Sequence, residues 1–124
     1  MKHLIMSLLG NNYKKLGFDI LKGQKIISFE NWSEGDKSWN FSTENHKYNL
    51  HIEDDGCGCN DSNAYINYIQ DLDKILNQEI IEVDEGSDGY GANITLKTRE
   101  NECFIVITHD QNGYYGFSYE LFES

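Results

Sequence analysis

From Gly23 onward, apolar and polar residues alternate in short runs separated by polar or glycine-bearing breaks, the pattern of half-buried strands. Tyr48, Leu50 and Ile52 fall on one side of such a run, and Tyr115, Phe117, Tyr119 and Leu121 on one side of another. Runs of this texture cover residues 25–31, 38–43, 47–53, 64–69, 78–83, 93–98, 103–108 and 114–122. Turns are expected at Glu34-Gly35-Asp36, Glu44-Asn45-His46, Arg99-Glu100-Asn101 and Gln111-Asn112-Gly113. Asn112-Gly113 tolerates φ > 0 at both positions, so the spacing predicts a β-hairpin from Cys103 to Phe122. Two polar, glycine-bearing stretches, 54–61 and 84–91, read as loops.

Before Gly23 the period changes. Leu4, Ile5, Leu8 and Leu9 form one apolar stripe of a short helix that Gly10-Asn11-Asn12 ends, and a second helical stretch is expected over 13–21. A further short helix at 71–76 would bury Leu72, Ile75 and Leu76. Together these predict an α+β fold: a mainly antiparallel, twisted sheet of six or seven strands with one or two short helices. Residues 1–124 are expected as a single domain, with 1–22 a short helical segment packed on the sheet.

Composition permits that core: 39% of the 124 residues are hydrophobic and 13% aromatic, and proline is absent, which removes Pro-rich linkers and docking peptides. Charge narrows the function more. Ten basic against 21 acidic residues give a net charge of −11, a field that repels phosphate backbones and anionic membranes. Direct nucleic-acid binding and membrane binding are therefore not expected, and no run approaches the ~20 apolar residues of a spanning helix. Eleven acids lie between Glu53 and Asp88 against the single base Lys74. Arg99 is the only arginine, so bidentate gripping of phosphate is nearly missing.

Candidate chemistry is sparse. Met1 to Leu9 is too soon interrupted by Asn11, Asn12, Lys14 and Lys15 to serve as a signal peptide, so a cytoplasmic location with reduced thiols is expected. Cys57 and Cys59 are separated by one residue, too close for the usual paired zinc ligands even with His51 nearby. Asp84, Gly86, Asp88 and Gly89 imitate the first half of a calcium loop, but Thr95 stands where its bidentate acid belongs. No metal and no cofactor are expected. Neighbouring carboxylates would raise the thiols of Cys57 and Cys59 rather than activate them with His46, His51 or His109, and phosphate-binding glycine motifs are absent. The chain reads as no enzyme. Rings beside turns, Trp32, Tyr90, Tyr114 and Tyr115, are candidate anchors, whereas Trp39 is expected in the core.

Several motifs stand in a familiar order: Leu21-Lys22-Gly23-Gln24-Lys25-Ile26, Tyr48-Asn49-Leu50, the Glu53-Asp54-Asp55 loop with its cysteines, Tyr65-Ile66 with Asp71-Leu72 and Ile75-Leu76, and Asn112-Gly113-Tyr114-Tyr115-Gly116. In this the chain resembles a family of small, uncharacterised acidic proteins encoded by phages, prophages and their hosts, over about Leu21 to Tyr119. That family shows adjacent cysteines after an aspartate, while Gly58 splits Cys57 from Cys59 here. The resemblance implies an accessory protein that binds and inhibits, or sequesters, something of the host's. The expected function is a non-enzymatic inhibitor whose acidic surface covers a basic site on a host defence or toxin protein. Its expected contacts are Asp54, Asp55, Asp84, Glu85, Asp88, Tyr90, Tyr114 and Tyr115. The alternative is a module that sequesters a small signalling nucleotide, with a homo-oligomer gathering Lys22, Lys25, Lys97 and Arg99.

Overall fold

The computed structural model describes residues 14–54, 62–111 and 116–123. Among these residues nine strands follow one another: β1 (Lys14–Leu16), β2 (Ile26–Phe29), β3 (Ser38–Thr43), β4 (Lys47–Asp54), β5 (Ser62–Gln70), β6 (Glu82–Asp88), β7 (Gly91–Lys97), β8 (Glu102–Gln111) and β9 (Phe117–Glu123). A 3-10 turn, Phe18–Leu21, follows β1, and a one-turn helix α1, Leu72–Ile75, follows β5. The strands form two sheets, of order β1-β9-β4-β3-β2 and β5-β8-β7-β6, and every pairing is antiparallel. The fold is thus mostly antiparallel β with little helix, and the expected single sheet of six or seven strands is corrected to two sheets.

The strand periodicity drives this arrangement where it is strict. Trp39, Phe41 and Thr43 of β3 and Tyr48, Leu50 and Ile52 of β4 are buried, with Leu121 of β9 beside them. Ala64 and Ile66 of β5, Ala92, Ile94 and Leu96 of β7, and Cys103, Ile105 and Ile107 of β8 join the same hydrophobic core from the second sheet. Each buried Ile or Leu contributes about 2 kcal/mol of transfer free energy, and together these side chains hold the sheets against each other. Trp39, as expected, is fully buried; it stacks on Phe41 at 4.9 Å, and its indole N–H donates to the Glu30 carbonyl at 2.8 Å.

Two further corrections concern partners rather than strands. The expected hairpin from Cys103 to Phe122 does not form: β8 pairs with β5 and β7, while β9 crosses to the other sheet and pairs with β4 and β1. An Asn-Gly turn signals a reversal but not the strand that receives the chain, and β4 offers β9 a seven-residue ladder from Tyr48↔Glu123 to Asp54↔Phe117. The turn itself, the helix expected around Leu4 to Leu9, and the loop cysteines lie outside the described residues. Helix over 13–21 is likewise corrected: Lys14–Leu16 is a strand against β9, and only the 3-10 turn buries Phe18 and Leu21. α1 matches its expected place, entered through Asp71 and left through Asn77, both at φ 63°, a left-handed conformation that short Asx side chains tolerate.

Candidate functional site

The expected flexible loop 84–91 is instead a hairpin. β6 and β7 pair over seven positions, from Glu82↔Lys97 to Asp88↔Gly91, and Gly89-Tyr90 make the two-residue turn. The sequence of β6, Glu-Val-Asp-Glu-Gly-Ser-Asp, buries no face, since β6 is the edge strand and only Val83 is half-covered. Loss of the apolar alternation made it resemble a loop; the β7 ladder makes it a strand. Gly91 is required on the other side of the turn, because a Cβ there would sit 2.4 Å from the Ile107 carbonyl oxygen of β8.

On β6 the charges divide by face. Glu82 and Asp84 point the same way as Lys97, whose ammonium lies 2.9 Å from Asp84 and 3.7 Å from Glu82, and this pairing raises the lysine pKa above its ordinary value. Glu85 points to the opposite face and accepts a 2.8 Å hydrogen bond from the Tyr119 hydroxyl of β9, a contact that joins the two sheets. Burial first, then this bond and the charge of Glu85, push the Tyr119 phenol well above the usual tyrosine range.

At the tip, Asp88 Oδ1 accepts the Tyr90 N–H at 2.7 Å, and the Tyr90 carbonyl accepts the His109 backbone N–H at 2.9 Å. The buried His109 ring bonds to the Gly89 carbonyl at 3.0 Å through Nδ1, which must carry the hydrogen because a carbonyl only accepts, and packs on Phe117 at 4.8 Å. The Tyr90 ring itself is 66% exposed. A shallow depression of about 360 Å³ lies beside it, lined by Gly86, Asp88, Asn93 and Thr108 among others.

The expected contact residues therefore separate. Asp84, Glu85, Asp88 and Tyr90 come together on one hairpin. Glu82, which the strand period of two places on one face with Asp84 and Asp88, joins them and was missing from the expected set. Asp54 does not: it ends β4 and accepts from the Lys37 ammonium at 3.0 Å and the Ala64 N–H at 3.2 Å, at the β5 edge. Three strand spacings, roughly 14 Å, separate the two edges of that sheet. Asp55, Tyr114 and Tyr115 lie outside the described residues. The acidic segment is consequently not one face, for Glu53 lies on β4, Asp71 and Asp73 flank the start of α1, and the backbone of Glu79 pairs with that of Lys25 in an isolated β-bridge.

Among the described residues, no group of three His, Cys, Asp or Glu side chains is placed to hold a metal ion. Cys103 is a buried thiol pushed up to about 12, by burial first and by Asp71 and Asp73 after it, so it is protonated at neutral pH and a poor nucleophile. Lys25 and Arg99 do line one depression, but Glu79 and Glu100 line it too, so the lysine and arginine charges are matched. No helix among the described residues is long and apolar enough to cross a membrane. Comparison of the chain with protein-family models, curated proteins and solved structures finds no match.

Proposed function

We infer that the protein is a non-enzymatic acidic binding protein, a phage- or mobile-element inhibitor that covers a basic site on a host defence or toxin protein. The observation that carries this reading is the exposed β6 strand, where four carboxylates fall within seven consecutive positions, Glu82, Asp84 and Asp88 on one face and Glu85 on the other, beside the projecting ring of Tyr90. Such a surface speeds encounter with a basic partner and selects against acidic ones, while the aromatic ring supplies contact area. The resemblance to the phage and prophage family supplies the context of host conflict. Nucleotide sequestration gains no support from the balanced Lys25–Arg99 depression.

The test starts from capture of partners from host lysate, followed by affinity measurement with the purified partner. Affinity is expected to fall at least tenfold between low and moderate salt and to vanish when Glu82, Asp84, Glu85 and Asp88 are neutralised together, with circular dichroism unchanged. Salt-independent binding, or depletion of a cyclic nucleotide in place of a protein partner, would overturn the reading.

A further inference from the structure

Sheets end in strands whose outward N–H and C=O groups must be covered or solvated. In the four-stranded sheet the hydrogen-bonding side of each β6 residue follows from the turn. A two-residue connection makes Asp88 and Gly91 the hydrogen-bonded pair, and antiparallel alternation extends this to Gly86↔Asn93, Asp84↔Thr95 and Glu82↔Lys97. The backbone groups of Val83, Glu85 and Ser87 therefore face away from β7. Among the described residues no other strand lies beyond β6: the Phe18–Leu21 turn approaches it and Gly23 to Lys25 pair with Glu79 and Ile80 just before it, while Asp84 through Asp88 are exposed without a break.

We propose that β6 is a strand-addition site, at which an extended basic segment of the partner protein pairs antiparallel with Val83, Glu85 and Ser87 and sets its basic side chains opposite Glu82, Asp84 and Asp88. This rests on the acidic-surface reading above and specifies how that surface engages its partner. Antiparallel pairing continues the only ladder type among the described residues. Main-chain bonds give such docking its affinity, and alternate side chains give it selectivity.

Charge decides the occupant. A second copy of this chain pairing β6 to β6 about Glu85 would set Glu82 against Asp88 and Glu85 against Glu85, and directly opposed like charges disfavour a ladder. A segment with Lys or Arg at every second position meets the reverse situation. Register also fixes the geometry of that segment. Residues directly opposite each other share a face, so the basic residues lie across from Glu82, Asp84 and Asp88, and the residues between them aim their backbone amides at β6.

The test uses the full chain and a labelled nine-residue peptide alternating lysine and threonine, followed by anisotropy at low salt. Binding is expected to weaken at least tenfold when the threonine nitrogens are methylated and to change less than twofold when the lysine nitrogens are. Ser87→Pro removes one outward N–H, and Gly86 before it has no Cβ to clash with the ring, so this variant is expected to fold and to lose affinity as the methylated peptide does, while Ser87→Ala retains it. Equal binding of both methylated peptides overturns strand addition; if neutralising the four carboxylates still abolishes binding, the acidic-surface reading stands without it. Binding that survives neutralisation defeats both. Absence of any peptide binding overturns strand addition, and the salt dependence of the protein partner then judges the acidic surface separately. Self-association of the free protein that Ser87→Pro removes would assign the edge to a second copy and likewise overturn the proposal.

Discussion

Along β5 the chain closes its own sheet edge. Ala64 donates its N–H to Asp54 and gives its carbonyl to the Lys37 ammonium at 2.6 Å, and the Asp54–Lys37 ion pair ties the two plugs together. One step further, Ile66 takes the Gly35 N–H at 2.9 Å and donates to the Asp36 carbonyl at 2.7 Å, so the Ser33–Asp36 turn, with Gly35 at φ 100°, acts as a stub of an extra strand. Along β6, the other edge of the same sheet, the cover stops early: Gly23 and Gln24 bond Ile80 just before the strand, and the Phe18–Leu21 turn approaches it. Among the described residues no backbone group bonds the outward side of Val83, Glu85 or Ser87, and carboxylates line the strand instead. Charge keeps an open edge soluble, whereas a hydrogen-bonded plug closes it. The first solution leaves the edge available to a partner of opposite sign.

The contrast can be broken at four points. Gly91→Val drives a side chain into the Ile107 carbonyl and should unseat the β6–β7 hairpin, costing about 3 kcal/mol in chemical denaturation; wild-type stability would show that β7 can shift away from β8. Alkaline pH acts on the open edge through Lys97 and Tyr119 and on the neighbouring core through Cys103. All three pKa values are raised by folding, so their contributions are complete below the unfolded values, near 9 to 10.5, and are lost as pH climbs toward the folded ones. Between pH 9 and 11 the thiol alone should cost roughly 2 to 3 kcal/mol, visible as a falling melting temperature that Cys103→Ala flattens.

Asp54→Ala unplugs β5, leaving the Ala64 N–H and Lys37 without their carboxylate. A loss of about 2 kcal/mol is expected, together with new self-association in sedimentation velocity; a strictly monomeric variant would argue that the Gly35–Asp36 bonds suffice. The smallest effects belong to the open edge. Neutralising Asp84, Glu85 or Asp88 singly, each of which loses one charged hydrogen bond, should change stability by about 1 kcal/mol and partner affinity by about 1 kcal/mol or less, measured by calorimetry. A single change that removed all binding from a folded protein would replace the distributed edge with a discrete site.

The same contrast explains what could be read from the chain beforehand. Strands with one buried face, such as β3 with Trp39 and Phe41 or β4 with Tyr48, Leu50 and Ile52, announce themselves by period, and their bounds were legible to within a residue or so. β6 has no buried face, and β1 is three residues long, so neither leaves that trace. The partition into two sheets was hidden for another reason: pairing such as β4 with β9 joins residues about 70 apart, and local pattern carries no address. Of the candidate site, Asp84, Glu85, Asp88 and Tyr90 were visible as charge and aromaticity next to glycine. Their strand, and the diversion of Asp54 into a structural ion pair with Lys37, depended on the tertiary fold.

Tyr90 carries a kinetic consequence. Its N–H is held by Asp88 and its carbonyl by the His109 backbone, while its ring projects into solvent. The conformational entropy of that turn has been surrendered during folding, so a docking protein has only two side-chain torsions left to arrest. Preorganisation of this kind acts on residence time: on the proposed acidic-surface reading, loosening the turn with His109→Ala should shorten the lifetime of the complex through a faster dissociation rate and leave the association rate nearly unchanged.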